Sequence, residues 1–304
     1  MDLSVRIGSL VLKNPLMSAS GCFGYGLEYA DIVDLSSLGA VVVKGLFLKE
    51  REGHPPPRIV ETPSGMLNAI GLQGIGVDRF VREKMPELRR LGAVVIVNVC
   101  GSSIDEYVEV SRILSDVEGV AAIELNISCP NIKEGGIQFG CNLASTAEVV
   151  AAVRKATALP LIPKLTPNVT SVSSFARAAE ENGADAVSLV NTFLAMVVDV
   201  EARRPAISNG MGGLSGPAIR PIAVRMVYEC ARQVRIPVVG MGGISCARDV
   251  LEFMIAGATA VQVGTANFVD PFIWPKLQAG IEDYMARHGV ARAADLVGTL
   301  DFGR

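Results

Sequence analysis

The chain has 304 residues, 50% of them hydrophobic and 19% charged, and a net charge of −3 at pH 7. That is enough apolar sequence for one large domain or two small ones. The acidic balance, with lysine and arginine scattered rather than interleaved with aromatics, speaks against a nucleic-acid groove. No apolar run approaches a membrane span, and the opening Met-Asp-Leu-Ser-Val-Arg lacks an apolar signal core. Cysteines at 22, 100, 129, 141, 230 and 246 include no Cys-x-x-Cys spacing, so no zinc or iron–sulfur site is expected from this chain alone. A cytoplasmic protein with reduced thiols is the natural expectation.

Residues 1–14 carry the alternation Leu3-Ser-Val-Arg-Ile-Gly-Ser-Leu-Val-Leu12, which reads as a β-hairpin. Eight short apolar runs follow, at 15–20, 40–44, 94–98, 121–128, 161–165, 186–191, 237–240 and 260–264. Helical patterns lie between them, among others at 146–157, 172–182, 221–234 and 247–256. Gly-Ala steps at 39, 92, 183 and 257 precede the next strand, and glycine just past a helix is a common stop. Continuous apolar strands alternating with helices imply a parallel sheet covered by helices. Eight such units predict an α/β fold, a (β/α)₈ TIM barrel, with the hairpin closing its amino end. An open doubly wound sheet is disfavoured, because no Gly-x-Gly-x-x-Gly follows an early strand. No linker divides the chain, so residues 1–304 are expected to form one domain. Long connections at 45–80 and 192–221 are expected to build a substrate chamber as loops.

In a barrel of this kind the active site lies at the carboxyl ends of the strands. In chain order these ends deliver Ser18, Ser20 and Gly21; Lys44-Gly45; Asn98; Asn126; Lys164; Asn191-Thr192; Gly240-Met-Gly-Gly243; and Gly264-Thr265. The fourth strand is the most informative. It runs through Glu124-Leu-Asn-Ile-Ser-Cys-Pro-Asn131 and is stopped by Pro130, which has no N–H for a ladder. This sets Cys129 at a strand end under a polar loop containing Lys133, Glu134, Gly135 and Gly136. Cys129 reads either as a small buried hydrophobe or as a catalytic thiol. Glycines at the seventh and eighth strand ends suit a phosphate, aided by a helix start at Ser245 or Ala247, or simply tight turns. Lys44 and Lys164, in apolar strands, need either chemistry or an acidic partner. Lys164 is open to a Schiff base or to placing positive charge against an electron-rich ring. Asn68, within Met66-Leu-Asn-Ala-Ile-Gly-Leu72, reads as a ligand contact. The stretch Gly210-Met-Gly-Gly-Leu-Ser-Gly-Pro217 reads as a loop against a flat ligand. His54 and His288 receive no role.

Taken together, these residues resemble the class 1 dihydroorotate dehydrogenases over essentially the whole chain. The marks are Asn126-Ile-Ser-Cys-Pro-Asn131, Lys44-Gly45, Asn68-Ala-Ile-Gly-Leu72, Asn191-Thr192, Gly212-Gly-Leu-Ser-Gly-Pro217, Gly240-Met-Gly-Gly243 and Val263-Gly-Thr265. The run Arg51-Glu-Gly-His-Pro-Pro-Pro-Arg58 looks most like the 1B catalytic subunit, and Gly74-Ile75 stands where the family suggests Asn-Pro. The resemblance implies oxidation of dihydroorotate to orotate in pyrimidine biosynthesis, with Cys129 as base and FMN taking the hydride. It implies FMN held by Ser20, Lys44, Gly45, Asn98, Asn126, Lys164, Val190, Gly216, Gly242, Gly243, Gly264 and Thr265. It places dihydroorotate against Lys44, Asn68, Ala69, Ile70, Gly71, Leu72, Asn126, Asn191 and Thr192. It further implies a partner subunit carrying FAD and a 2Fe–2S cluster, electrons passed to NAD⁺, and a dimer of catalytic subunits within a heterotetramer. Three rivals stand beside it: a 1A-type homodimer reducing fumarate, a Schiff-base lyase using Lys164, and a non-catalytic barrel binding a phosphorylated ligand.

Overall fold

The apolar runs pair edge to edge into one parallel sheet that curls back on itself. The computed structural model describes residues 1–127 and 139–303. Its eight main strands are β1 (Leu16–Ser18), β2 (Val41–Leu46), β3 (Val95–Val99), β4 (Val120–Asn126), β5 (Leu161–Lys164), β6 (Val187–Leu189), β7 (Val238–Met241) and β8 (Ala260–Val263). Every neighbouring pair in the sheet is parallel and the order is β1-β8-β7-β6-β5-β4-β3-β2. The two edges, β1 and β2, meet through a Met17–Ala40 bridge. A side chain completes that seam: the Val42 N–H donates to Ser18 Oγ at 2.9 Å, and the Ser18 hydroxyl donates to Val42 O at 3.3 Å. The fold is the expected TIM barrel.

Helices follow the strands. The α-helices among the described residues are α1 (Val77–Glu83), α2 (Met85–Arg90), α3 (Ile104–Ser115), α4 (Leu143–Ala156), α5 (Val172–Glu181), α6 (Arg220–Ala231), α7 (Ala247–Ala256), α8 (Ala266–Val269) and α9 (Ile273–His288). Their starts show why the chain enters helix where it does. Ser103 accepts the Glu106 N–H ahead of α3, and Asn142 accepts the Ser145 N–H ahead of α4. The Gly-Ala steps divide in two. Gly92, Gly183 and Gly257 have positive φ, as a helix stop requires. Gly39 does not; a Cβ there would lie 2.2 Å from Asn14 O, so close packing of the seam demands glycine.

The hairpin Val5–Ile7 with Leu10–Leu12 covers the amino end of the barrel. Its Val5, Ile7 and Leu12 are buried in one cluster with Met17, Ala40, Val42, Ile96, Ala122, Ile162, Ala186, Val239 and Ala260. Outside the strands a much larger apolar layer packs them on the helices.

The long connections are not loops throughout. Segments from both pair as a four-stranded antiparallel sheet in the order Phe193–Met196, Met211–Ser215, Gly65–Asn68, Ile59–Thr62. The glycine-rich 210–217 stretch, expected as a loop, therefore contributes an inner strand. Its glycines allow strands to approach. A Cβ on Gly212 would lie 2.5 Å from Asn68 O, and one on Gly213 would lie 1.9 Å from Thr192 Oγ1.

Candidate active site at the carboxyl mouth of the barrel

Two residues beyond the apolar plug, the inward-facing positions turn polar. Strand period explains the arrangement, because residues i and i+2 share a face. Ile96 is followed by Asn98, Ala122 by Glu124 and Asn126, Ile162 by Lys164, Ala186 by Ser188, and Ala260 by Gln262. Register then sets them side by side: Asn98 opposite Glu124, Asn126 opposite Lys164, and Lys164 opposite Ser188.

Glu124 is the centre of this layer and is wholly buried. Its carboxylate accepts from Asn98 Nδ2 at 2.7 Å, from Ser188 Oγ at 3.0 Å and from Gln262 Nε2. Lys164 Nζ lies 3.6 Å from Glu124 Oε1 and donates to Ser20 Oγ at 2.9 Å. Asn126 Nδ2 donates to Asn98 Oδ1 at 3.2 Å, and the Tyr107 hydroxyl donates to the Asn126 carbonyl at 2.7 Å. Gly45 lets β2 pass over this group: a Cβ there would lie 2.7 Å from Cys100 Sγ and 3.0 Å from Asn98 Oδ1. Of the two readings for Lys164, the structure supplies the acidic partner. An amine held between a carboxylate and a hydroxyl is poorly placed to attack a carbonyl.

Lys44 is half-buried rather than buried. Burial, and then the nearby Arg58 charge, pull its pKa below the ordinary lysine value. It opens on a cavity of about 550 Å³ also lined by Tyr25, Arg51, Gln73 and Gly74. The loop after Asn68 forms one wall. Asn68 is tied to the Gly213 carbonyl at 3.3 Å, His54 Nδ1 lies 3.1 Å from Ala69 O, and Arg58 donates to Gln73 Oε1 at 3.0 Å. A Cβ on Gly71 would lie 2.5 Å from His54 N, and Leu72 takes a positive φ. His54, left without a role by its sequence context, thus braces the segment that includes Ala69, Ile70 and Gly71. Gly74-Ile75 also has a local reason: the Ile75 N–H donates to the Tyr25 hydroxyl at 3.1 Å, which proline could not do. Asn191 Oδ1 accepts from the Thr192 N–H, and Thr192 O accepts from Asn168 Nδ2.

The glycine turns sit on the next strands. Gly242 and Gly243 have positive φ, and a Cβ on Gly243 would lie 2.7 Å from Gly216 O. Val190 packs on Gly242, and its N–H donates to Met241 O. Gly264 lies against Ala19 and Cys22, and the Thr265 hydroxyl donates to Ser215 Oγ at 2.8 Å. At the start of α7, expected to help hold an anion, part of the donor set is already engaged. Asp249, 2% exposed, accepts the N–H groups of Ser245 and Cys246, the Ser245 hydroxyl and Arg220. That capping box takes the Ser245 and Cys246 N–H groups; those of Ala247 and Arg248, next in the first turn, are not among the ones it engages.

Cys129 lies outside the described residues. Among the described residues no cysteine forms a disulfide, and burial pushes the thiols of Cys22 and Cys230 up to about 11 and about 12, where they are poor nucleophiles at neutral pH. The sequence reading missed Glu124, Ser188 and Gln262 as site residues. Their signal was available: each is a polar residue two places after an inward alanine.

A model of the family described as dihydroorotate dehydrogenase matches residues 2–285. The chain belongs to the dihydroorotate dehydrogenase family. It is 54% identical to the Phocaeicola vulgatus protein named dihydroorotate dehydrogenase B (NAD(+)), catalytic subunit, over 99% of each chain. It is 52% identical to the protein of that name from Bacteroides thetaiotaomicron, again over 99% of each chain, and 53% to that from Geotalea daltonii, over 98% of each. Among the described residues no helix of this dehydrogenase-family chain is long and apolar enough to cross a membrane.

Proposed function

We propose that this chain is the catalytic subunit of an NAD⁺-linked dihydroorotate dehydrogenase, a flavin-dependent oxidoreductase of pyrimidine biosynthesis. The reading is carried by the cation–amide floor of Lys164, Asn98 and Asn126 around Glu124, beside the glycine turns of β7 and β8. The full-length likeness to relatives bearing that name supports it.

The residues fit FMN. Gly242, Gly243, Gly264 and Thr265 would take its phosphate, and Gly216 and Val190 border the same turns. Lys164 with Ser20, and Asn98 with Asn126, would meet the polar edge of its ring system, with Lys44 and Gly45 beside them. When bound, FMN supplies the two-electron acceptor the reaction needs. Dihydroorotate is an anion with amide edges. Lys44 is suited to its carboxylate, and Asn68, Asn126, Asn191 and Thr192 to its amide groups. The segment Ala69, Ile70, Gly71 and Leu72 would close over it. Asparagines here discriminate strongly, because a ligand lacking the matching groups leaves them unpaired. Cys129 is the proposed base, taking the proton from C5 as a thiolate.

The chain has no dinucleotide fingerprint. NAD⁺ therefore requires a second polypeptide, which we propose carries FAD and a 2Fe–2S cluster and joins a catalytic dimer in a cytoplasmic heterotetramer. Residues 1–304 serve as one FMN-binding domain. The test is direct. Purified protein is expected to be yellow, to be bleached by dihydroorotate without oxygen, and to yield one orotate per flavin. A colourless protein, or a yellow one that dihydroorotate leaves unchanged, overturns the reading.

A further inference from the structure

We infer that Glu124, to which no role in the reaction has been given, is a positioning residue that sets both the electrostatics of the flavin site and the sense of its amides. The inference rests on the FMN reading above. Three neutral side chains on three different strands, Asn98, Ser188 and Gln262, all turn a donor toward Glu124. Gln262 does so although its Oε1 is left buried without a partner among the described residues. An ionised carboxylate accepts only, and that demand explains why each neighbour presents a donor.

Two consequences reach the mouth. The first is charge. Lys164 carries its cation 3.6 Å from a carboxylate, at a site where both side chains are nearly inaccessible. A cation beside a reduced flavin favours the electron-rich form, and a carboxylate behind it moderates that effect. Glu124 therefore holds the flavin potential below the value an uncompensated lysine would give. The second is orientation. With Nδ2 committed to Glu124, Asn98 must present Oδ1 on its other side, where it accepts from Asn126 Nδ2 at 3.2 Å and from the Cys100 thiol at 3.6 Å. The carboxylate thus fixes the sense of the Asn98 amide, and Asn98 in turn fixes that of Asn126. A side chain that touches no ligand selects which edge of the pyrimidine the asparagine layer accepts.

The experiment uses holoenzyme loaded at one flavin per chain. Glu124→Gln keeps the shape, loses the charge and can present a donor to Asn98. Glu124→Asp keeps the charge but withdraws it by one carbon from Lys164 and Asn98. The flavin midpoint potential is expected to rise in the order wild type, Glu124→Asp, Glu124→Gln. The full step corresponds to about a tenfold change in the redox equilibrium, about 30 mV for two electrons. Orotate affinity is expected to fall about tenfold in Glu124→Gln. A purely structural role would lower flavin loading or thermal stability and leave the potential in place. Either variant, flavin-loaded and with the wild-type potential, overturns the inference, so a Glu124→Gln chain that fails to load leaves the Asp variant to decide. A colourless wild-type protein sinks the flavin reading itself; a yellow one with unshifted variants sinks this inference alone.

Discussion

The two halves of the barrel interior are built from the same strands and differ in almost everything else. Toward the amino end, Ile96, Ala122, Ile162, Ala186 and Ala260 meet the hairpin's Ile7 and Leu12 in a dry apolar plug. One inward step along each strand, Asn98, Glu124, Lys164, Ser188 and Gln262 form a buried polar layer. The contrast shows where stability ends and chemistry begins. The plug gains by excluding water. The polar layer pays desolvation and recovers it only if every member keeps its partners. Substitutions in the two halves should therefore fail in different ways.

The largest effect is expected from Lys164→Met. It leaves Glu124 charged, buried and without its counter-ion, a situation that costs about 3–5 kcal/mol. Urea unfolding of the flavin-free chain measures it. Replacing both partners with apolar residues of similar volume is expected to recover most of the loss. If the double variant is as unstable as the single one, packing rather than charge governs the layer. Ile162→Ala, one step toward the plug, is expected to cost about 3 kcal/mol through lost burial and a residual cavity. Orotate affinity of the folded protein is expected to stay at the wild-type value. A change in that affinity would erase the boundary between the halves.

The boundary was only partly legible in the sequence. The apolar strands, the Gly-Ala stops and the alternation of the hairpin are local signals, and they placed the barrel. The end of each strand was legible too, because Lys44, Asn98, Asn126 and Lys164 interrupt apolar runs. Glu124 was on the page but unread. A carboxylate in a strand announces a cost without naming the partners that offset it, and Ser188, Gln262 and Lys164 lie 40 to 138 positions away. The glycine-rich 210–217 stretch was misread for a similar reason. Composition shows that bulk is excluded; only the folded neighbours show what excludes it, the Asn68 carbonyl at Gly212 and the Thr192 side chain at Gly213. The α7 start hides a partnership of the same kind: Asp249 reads as an ordinary first-turn acid until it is seen accepting the donors ahead of the helix.

Lys44 lies on the rim of the polar layer and tests its outer edge. Burial favours its neutral form, and Arg58 adds repulsion. The sign follows from linkage. A lysine whose folded pKa lies below its unfolded value weakens the fold while it is protonated, and that penalty is relieved as pH rises through the folded pKa. An anionic ligand needs the ammonium, so its affinity runs the other way. Orotate binding is expected to weaken, about tenfold per pH unit, once pH passes a midpoint below the ordinary lysine value of about 10.4. Titration calorimetry across the alkaline range measures this, and Lys44→Met should flatten the profile. An unchanged profile in that variant would move the carboxylate contact elsewhere.

The smallest effect tests how the end of β4 is held. The Tyr107 hydroxyl, on a fully buried ring of α3, donates to the Asn126 carbonyl where the strand stops. Tyr107→Phe removes one neutral hydrogen bond, and about 1 kcal/mol of stability should go with it. The Asn126 side chain keeps its separate tie to Asn98, so orotate affinity should change by less than about threefold, or about 0.65 kcal/mol. A larger loss would mean that the backbone tie, and not the amide layer above Glu124, fixes Asn126. The helix shell would then share with the polar layer the work of shaping the site.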